Sequence, residues 1–233
     1  MRIGEHVVEA VFQPYHSSVD PSLRSGELLT RPEYPGLIEE FFGGLDVDRQ
    51  FELLEWHLSL QRALRSAGDW HTSINVNNTL LAQETQRDRF LDLVAGAGGP
   101  ITFEFTETHP MPPIEASNHL LRSLRELGHK SALDDFGSGL NGMSLLTDYD
   151  FDVIKIDNSL IADLPHRVEK RQTIGLVREM LSVLDKQHVV EGVETEDVYE
   201  VLLELGFTVF QGYLFARPQP LSEFGVIVEE VQP

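Results

Sequence analysis

Short runs in which apolar and polar residues alternate recur along the chain, separated by longer stretches with helical spacing. The strand-like runs are VVEAVFQPY (7–15), GELLTR (26–31), HTSINVN (71–77), ITFEFTE (101–107), KSALDDFG (130–137), DVIKID (152–157), HVVEGVE (188–194) and FTVFQGYLF (207–215). Between them, IEASNHLLRSLRELG brings Leu120, Leu121, Leu124 and Leu127 near helical spacing and stops at Gly128. TEDVYEVLLELG opens on Thr195 as a cap and closes on Gly206. The charged stretch 158–186 reads as one long helix or as a loop followed by a helix. Alternation of strand and helix marks βα units around a mainly parallel sheet, and eight strand runs predict an α/β fold, a closed (β/α)8 TIM-type barrel, as a single domain over residues 1–233. The first two runs are joined only by SSVDPSLRS, too short for a crossover helix, so they are predicted to form an antiparallel hairpin.

Composition narrows the function. With no Cys, the chain has neither a disulfide framework nor a thiolate metal site, so any metal is held by oxygen or imidazole. No run approaches the roughly 18 apolar residues of a membrane span, and MRIGEHVVEA lacks the basic-then-apolar order of a signal peptide, so a cytoplasmic protein without a membrane span is expected. Lys and Arg number 18 against 38 Asp and Glu, a net charge of −20, which argues against duplex nucleic acid as a partner. Most of that acidity is solvated surface, but the carboxylates inside apolar strands need another account.

In ITFEFTE, Phe103 and Phe105 turn to the apolar face while Glu104 points the other way, into the barrel. Glu27, Asp134, Asp135, Glu191 and Glu194 also fall near the C-terminal ends of predicted strands, which converge on one mouth of a barrel. Carboxylates crowded there repel one another and lift each other's pKa unless cations bind. Hard divalent ions, Mg²⁺ or Mn²⁺, suit an all-oxygen site, and the adjacent Asp134 and Asp135 are placed to bridge two of them. Such ions would also let a phosphate enter a strongly negative protein. In DVIKID, Lys155 shares a face with Val153 and Asp157; it is either half of a buried pair with Asp157 or a charge that steadies a water or phosphate at the mouth. Gly137 and Gly139, after the Asp pair, permit positive φ and close approach of a ligand. None of the nine His residues falls in a metal-ligand pair, and His188, Trp56 and Trp70 read as structural.

Taken in order, these motifs resemble the EAL family, with a match from residue 12 to residue 218. Its naming Glu-Ala-Leu motif is matched by Glu27-Leu28-Leu29, extended by Thr30 and Arg31. The resemblance makes Glu27 a catalytic metal ligand, Arg31 a substrate phosphate contact, and Leu28 a substrate neighbour through packing or backbone. FQP resembles the first-strand motif, with Gln13 facing a dinucleotide. SINVNNTLL offers both Asn75 and Asn77 for an Asn ligand, and aligning Leu81 with the family's apolar position selects Asn75. By the same resemblance Glu104, Asp134, Asp135 and Glu191 are metal ligands, Glu107 organises the loop after the Asp pair, and Lys155 and Glu191 are catalytic. Asp157 and Gln211 contact substrate, and Glu194 supports Glu191 from behind. Where the family carries an aromatic and two Ser after Gly139, this chain has Leu140, Asn141 and Gly142, and residues 32–46 lack the usual Pro and aromatic landmarks.

The resemblance implies an EAL-type barrel with an antiparallel first strand that hydrolyses cyclic-di-GMP to linear pGpG by a metal-activated water. It also implies two Mg²⁺ or Mn²⁺ ions, inhibition by Ca²⁺, and a homodimer. One alternative is a degenerate EAL domain that binds cyclic-di-GMP or a partner without hydrolysis; such domains lose ligands, and this chain keeps all of them. The other, an unrelated metal-dependent barrel, would draw on His-rich ligand sets.

Overall fold

The first alternating run forms β2 (His6–Pro14), preceded by a short β1 (Arg2–Ile3) and followed, after Tyr15, by β3 (His16–Ser17) and β4 (Ser25–Pro32). The computed structural model describes residues 1–106, 111–138 and 142–227. The chain continues through α1 (Ile38–Gly43), α2 (Val47–Gly68), β5 (His71–Val76), α3 (Glu84–Ala95), β6 (Ile101–Thr106), α4 (Ile114–Glu126), β7 (Lys130–Phe136) and α5 (Gly142–Asp148). There follow β8 (Val153–Ile156), α6 (Asn158–Ile161), α7 (Val168–Val183), β9 (Gln187–Val190), α8 (Glu196–Glu204), β10 (Val209–Phe210) and β11 (Gln219–Pro220).

Strands β4 to β10 lie side by side in chain order, all parallel. β2 pairs antiparallel with β4, Gln13 opposite Glu27, and β3 pairs antiparallel with β10. Because only Tyr15 separates β2 from β3, the two act as one broken stave that closes an eight-stave barrel, its first stave reversed as the short connection requires. The stretch 158–186 resolves into α6, a 3₁₀ turn at Leu164–His166 and α7.

The outward strand positions, among them Leu28, Ile74, Phe103, Phe105, Ile154 and Ile156, pack with α2 and α4 residues such as Leu54, Leu58, Leu120 and Leu124 into the main core. A separate small cluster, Tyr15, Ala132, Val153 and Val189, sits inside the barrel. Period-two alternation separates these two environments and sends polar side chains toward the axis.

Two strands are shorter than their apolar runs predict. β9 ends at Val190, so Glu191 to Glu194 lie on the loop beyond it, and β10 holds only Val209 and Phe210. The chain turns at Gly212, whose backbone packs so closely on Val193 that a Cβ would sit 2.0 Å from the Val193 carbonyl oxygen. A tight turn replaces the strand because Phe215 and Ala216 donate their N–H groups back to Gly212.

Candidate active site

Lys155 projects from β8 to the barrel axis and is 1% exposed. Its Nζ lies 2.8 Å from carboxylate oxygens of Glu104 on β6, Asp134 on β7 and Glu191 after β9, and 3.5 Å from Glu27 on β4. Asp157 is not among its partners: that carboxylate accepts from the Ser159 N–H at 2.9 Å and caps α6, so the reading of a Lys155–Asp157 pair is corrected. The charge on Lys155 is held at once by three strands and the loop after a fourth, which only a closed barrel brings together.

Asp135 joins this cluster through a backbone irregularity. A regular strand would send Asp134 and Asp135 to opposite faces. Instead the β7–β8 register shifts between Leu133 and Phe136, and Asp135 adopts φ +58°, a left-handed conformation that Asp tolerates better than most residues. Both carboxylates therefore face the mouth, and oxygens of Asp134, Asp135 and Glu191 lie within 4.8 Å of one another. Gly137, at φ +102°, then turns the chain away.

Hydrogen bonds fix the other wall. Asn75 on β5 donates to Glu27 Oε1 at 2.6 Å, and Gln211 donates to Glu27 Oε2 at 2.9 Å and to Gln13 Oε1 at 3.0 Å. Gln13 in turn donates to the Ala216 carbonyl. The choice between the two asparagines is geometric: Asn77 caps the 3₁₀ turn at Asn78–Leu81 by accepting from Thr79, whereas Asn75 stands beside Glu27 and keeps its carbonyl oxygen for another partner.

With five carboxylates around one ammonium, the electrostatics are unbalanced. Burial, countered by Lys155 but reinforced by Glu27, Asp134 and Glu191, holds Glu104 well above the usual carboxylate range. Burial lifts Glu191 to about 8 against the pull of Lys155, and lifts Asp135 to about 6 with a push from Asp134. For Glu27, burial is outweighed by Lys155 and by the bonds from Gln211 and Asn75, which lower its pKa. The Lys155 ammonium is held well above its ordinary value, the four carboxylates overcoming the burial that would lower it. An all-oxygen donor set with this excess of buried negative charge fits hard divalent cations.

The remaining expected residues take varied places. Arg31 follows Glu27 and Leu29 along one face of β4 and lines a 410 Å³ cavity with Glu27, Asn75, Asp134 and Asp135. Leu28 lies on the opposite face, buried in the main core, so only its main chain is offered to that cavity. Asp157, Glu191, Glu194, Gln13 and Gln211 line a shallower neighbouring cavity, with Glu194 exposed. Glu107 and Gly139 lie outside the described residues. Tyr15 is the residue that sequence reading misses: it donates to Glu104 Oε1 at 3.1 Å from within the barrel. Its signal is present, since Tyr15 stands two residues after Gln13 and so on the same face. His188, at the far end of β9, accepts from the Thr208 N–H, and Trp56 is buried in the core.

The chain matches the EAL domain family model over residues 3–218. It is 30% identical over 229 residues to the cyclic di-GMP phosphodiesterase RocR of Pseudomonas aeruginosa, an alignment covering 93% of this chain and 58% of RocR. Across similar curated proteins the matched share of the relative falls as low as 17%, so the chain spans only part of their length. Among solved structures, Klebsiella pneumoniae BlrP1 in a calcium and cyclic-di-GMP complex superposes with a TM-score of 0.79 at 28% identity, covering 91% of this chain and 56% of that one. BlrP1 is also known in manganese and cyclic-di-GMP complexes. The PaMucR phosphodiesterase in complex with c-di-GMP gives 0.77 at 25% identity, with 93% of both chains covered.

Proposed function

The chain belongs to the EAL domain family, and on that premise we propose that it hydrolyses cyclic-di-GMP to linear pGpG with Mg²⁺ or Mn²⁺ as cofactor. The observation that carries this reading is the convergence of Asp134, Asp135 and Glu191 within 4.8 Å at a left-handed Asp135, around a Lys155 that also reaches Glu27 and Glu104. Glu27, Glu104, Asp134, Asp135, Glu191 and the Asn75 carbonyl would hold the cations, taken as two by resemblance to the family. When bound, such ions polarise phosphoryl oxygens and lower the pKa of water.

The chain's own residues do the rest. Lys155 fixes the carboxylates against one another and presents a positive charge where negative charge grows on the phosphate. Glu191, at the open end of the cluster beside Asp134 and Asp135, is the group placed to take a proton from water once the cations hold it ionised. Tyr15 and Gln211 hold Glu104 and Glu27 in orientation from behind, and Arg31 meets phosphate charge at the cavity rim. Gln13, Asp157 and the Leu28 main chain border the space for the dinucleotide, while Glu107, Gly137, Gly139 and Glu194 are assigned to the supporting loops. A homodimer and a cytoplasmic setting belong to the same reading; no helix among the described residues is long and apolar enough to cross a membrane.

Incubating the protein with cyclic-di-GMP and Mg²⁺ or Mn²⁺ and following pGpG by chromatography tests the reading. Product that forms with either ion and stops with Ca²⁺ or EDTA is the expected result. Tight binding without turnover would replace the enzyme by a receptor, and neither would remove both.

A further inference from the structure

Barrel interiors are ordinarily filled by layers of Val, Ile and Leu. Below the carboxylate cluster this one instead carries Ser25, Ser73 and Thr102 near the starts of β4, β5 and β6, and its apolar patch is limited to Tyr15, Ala132, Val153 and Val189. The result is a cavity of about 590 Å³ that opens at the N-terminal ends of the strands and has Glu104 and Lys155 as its ceiling. That volume lies within the roughly 300–1,000 Å³ of small-molecule sites.

The mouth of this cavity is basic. Arg24, Lys130, Arg178 and Lys186 line it against Asp20 and Asp185, in a chain of net charge −20 with only 18 Lys and Arg. The opposite mouth has the reverse sign: its 410 Å³ cavity sets Arg31 against Glu27, Glu39, Asp134 and Asp135. The basic side chains are anchored without being neutralised. Arg24 donates to the Gly68 carbonyl, Arg178 to the Gly206 carbonyl and Lys130 to the Gln187 side-chain oxygen, and among the described residues none of the three has a carboxylate partner within 4 Å. Lys186 donates to the Phe151 carbonyl with Asp150 at 3.5 Å, while Asp20 is occupied by the Ser22 N–H and hydroxyl. His71 and His188 line the same mouth as neutral rings, burial holding each at about 4 with further lowering from Lys130 and Arg178 respectively.

We propose that this N-terminal mouth binds a small phosphate-bearing anion, either free phosphate or a phosphate monoester, at a site separate from the carboxylate cluster. Arg24, Lys130 and Arg178 supply the charge-assisted donors, and the hydroxyls of Ser17, Ser25 and Thr208 meet the remaining oxygens. Selectivity for an anion follows from three uncompensated cations beside neutral imidazoles in an otherwise negative protein.

The test uses the whole chain in EDTA, so that the carboxylate cluster stays anionic and repels phosphate, with inorganic phosphate and ribose 5-phosphate as probes and sodium chloride of matched ionic strength as reference. At a hundredfold excess over Kd, Tm is expected to rise by about 5 °C, and the His71 and His188 ring resonances to move. A larger rise with ribose 5-phosphate supports the site and assigns the monoester; equal rises support it and assign the free ion. The Lys130→Gln/Arg178→Gln double variant is expected to lose the response, and Arg31→Gln, at the other mouth, to retain it. No response in the unmodified protein, an undiminished one in the double variant, or one abolished by Arg31→Gln overturns the proposal. Should the double variant fail to fold, unmoved His71 and His188 resonances in the unmodified protein overturn it equally.

Discussion

Asp135 separates two demands on one residue, a backbone conformation and a charge. Most L-residues other than Gly, Asn and Asp lose about 1–2 kcal/mol in the left-handed region, so the φ of +58° restricts the side chain independently of chemistry. Asp135→Asn satisfies the backbone and removes a carboxylate from a crowded cluster. It is expected to be at least as stable as the parent in urea without metal, yet to lose turnover by at least 100-fold, on the order of a removed transition-state contact. Asp135→Val is expected to lose the same activity and about 1–2 kcal/mol of stability besides. Lys155 makes the complementary case. Lys155→Ala leaves four buried carboxylates without their common counter-charge, and removing one partner of a buried ion pair costs about 3–5 kcal/mol. Urea melts in EDTA are expected to show that loss and melts in Mn²⁺ to recover part of it; a turnover rate near the parent value in this variant would refute the role given to Lys155.

At the level of elements, the Gly212 turn holds the loop after β9 against the end of β10. A Cβ there meets main chain, which cannot swing aside, so Gly212→Ala is expected to lower stability by about 1–3 kcal/mol in a urea melt, the scale of overpacking. The same turn marks where sequence reading stops. FTVFQGYLF has the apolar content of a long strand, but the approach of Val193 that ends it after Phe210 is a tertiary contact with no local signal. Barrel closure is equally hidden: the break at Tyr15 that lets one stave serve both β4 and β10 depends on the distance around the ring. By contrast, the reversed first stave is legible, because ten residues between two strand runs leave no room for a crossover. The charged residues of the site are legible for a related reason: Glu27, Glu104 and Lys155 each interrupt an apolar strand on its inward face. Period-two reasoning fails at Asp135, where a register shift overrides alternation.

For the whole molecule, the crowded cluster sets how stability varies with pH in the absence of metal. Glu191 at about 8 and Asp135 at about 6 stand above their ordinary values of 4.5 and 3.8. Below those ordinary values both the folded and unfolded chains are protonated and neither group affects stability. As pH rises, the unfolded chain releases protons that the fold retains, so stability falls, through about pH 6 for Asp135 and about pH 8 for Glu191, and then levels off. Glu27 has a lowered pKa and acts in the opposite sense, but its contribution is lost only as pH falls below about 4.5, outside this window. In EDTA, Tm is therefore expected to drop between pH 5 and pH 8, and Glu191→Gln to flatten the upper half of that drop. Cations in the cluster reverse the balance by favouring the ionised carboxylates that the empty fold disfavours. Mn²⁺ is thus expected to raise Tm more at pH 8 than at pH 6, where protons compete for the same oxygens. Calorimetric titration at pH 7 in buffers of different ionisation enthalpy is expected to register protons released on metal binding. A Tm gain independent of pH, with no proton release, would mean that the ions bind somewhere other than among Asp134, Asp135 and Glu191.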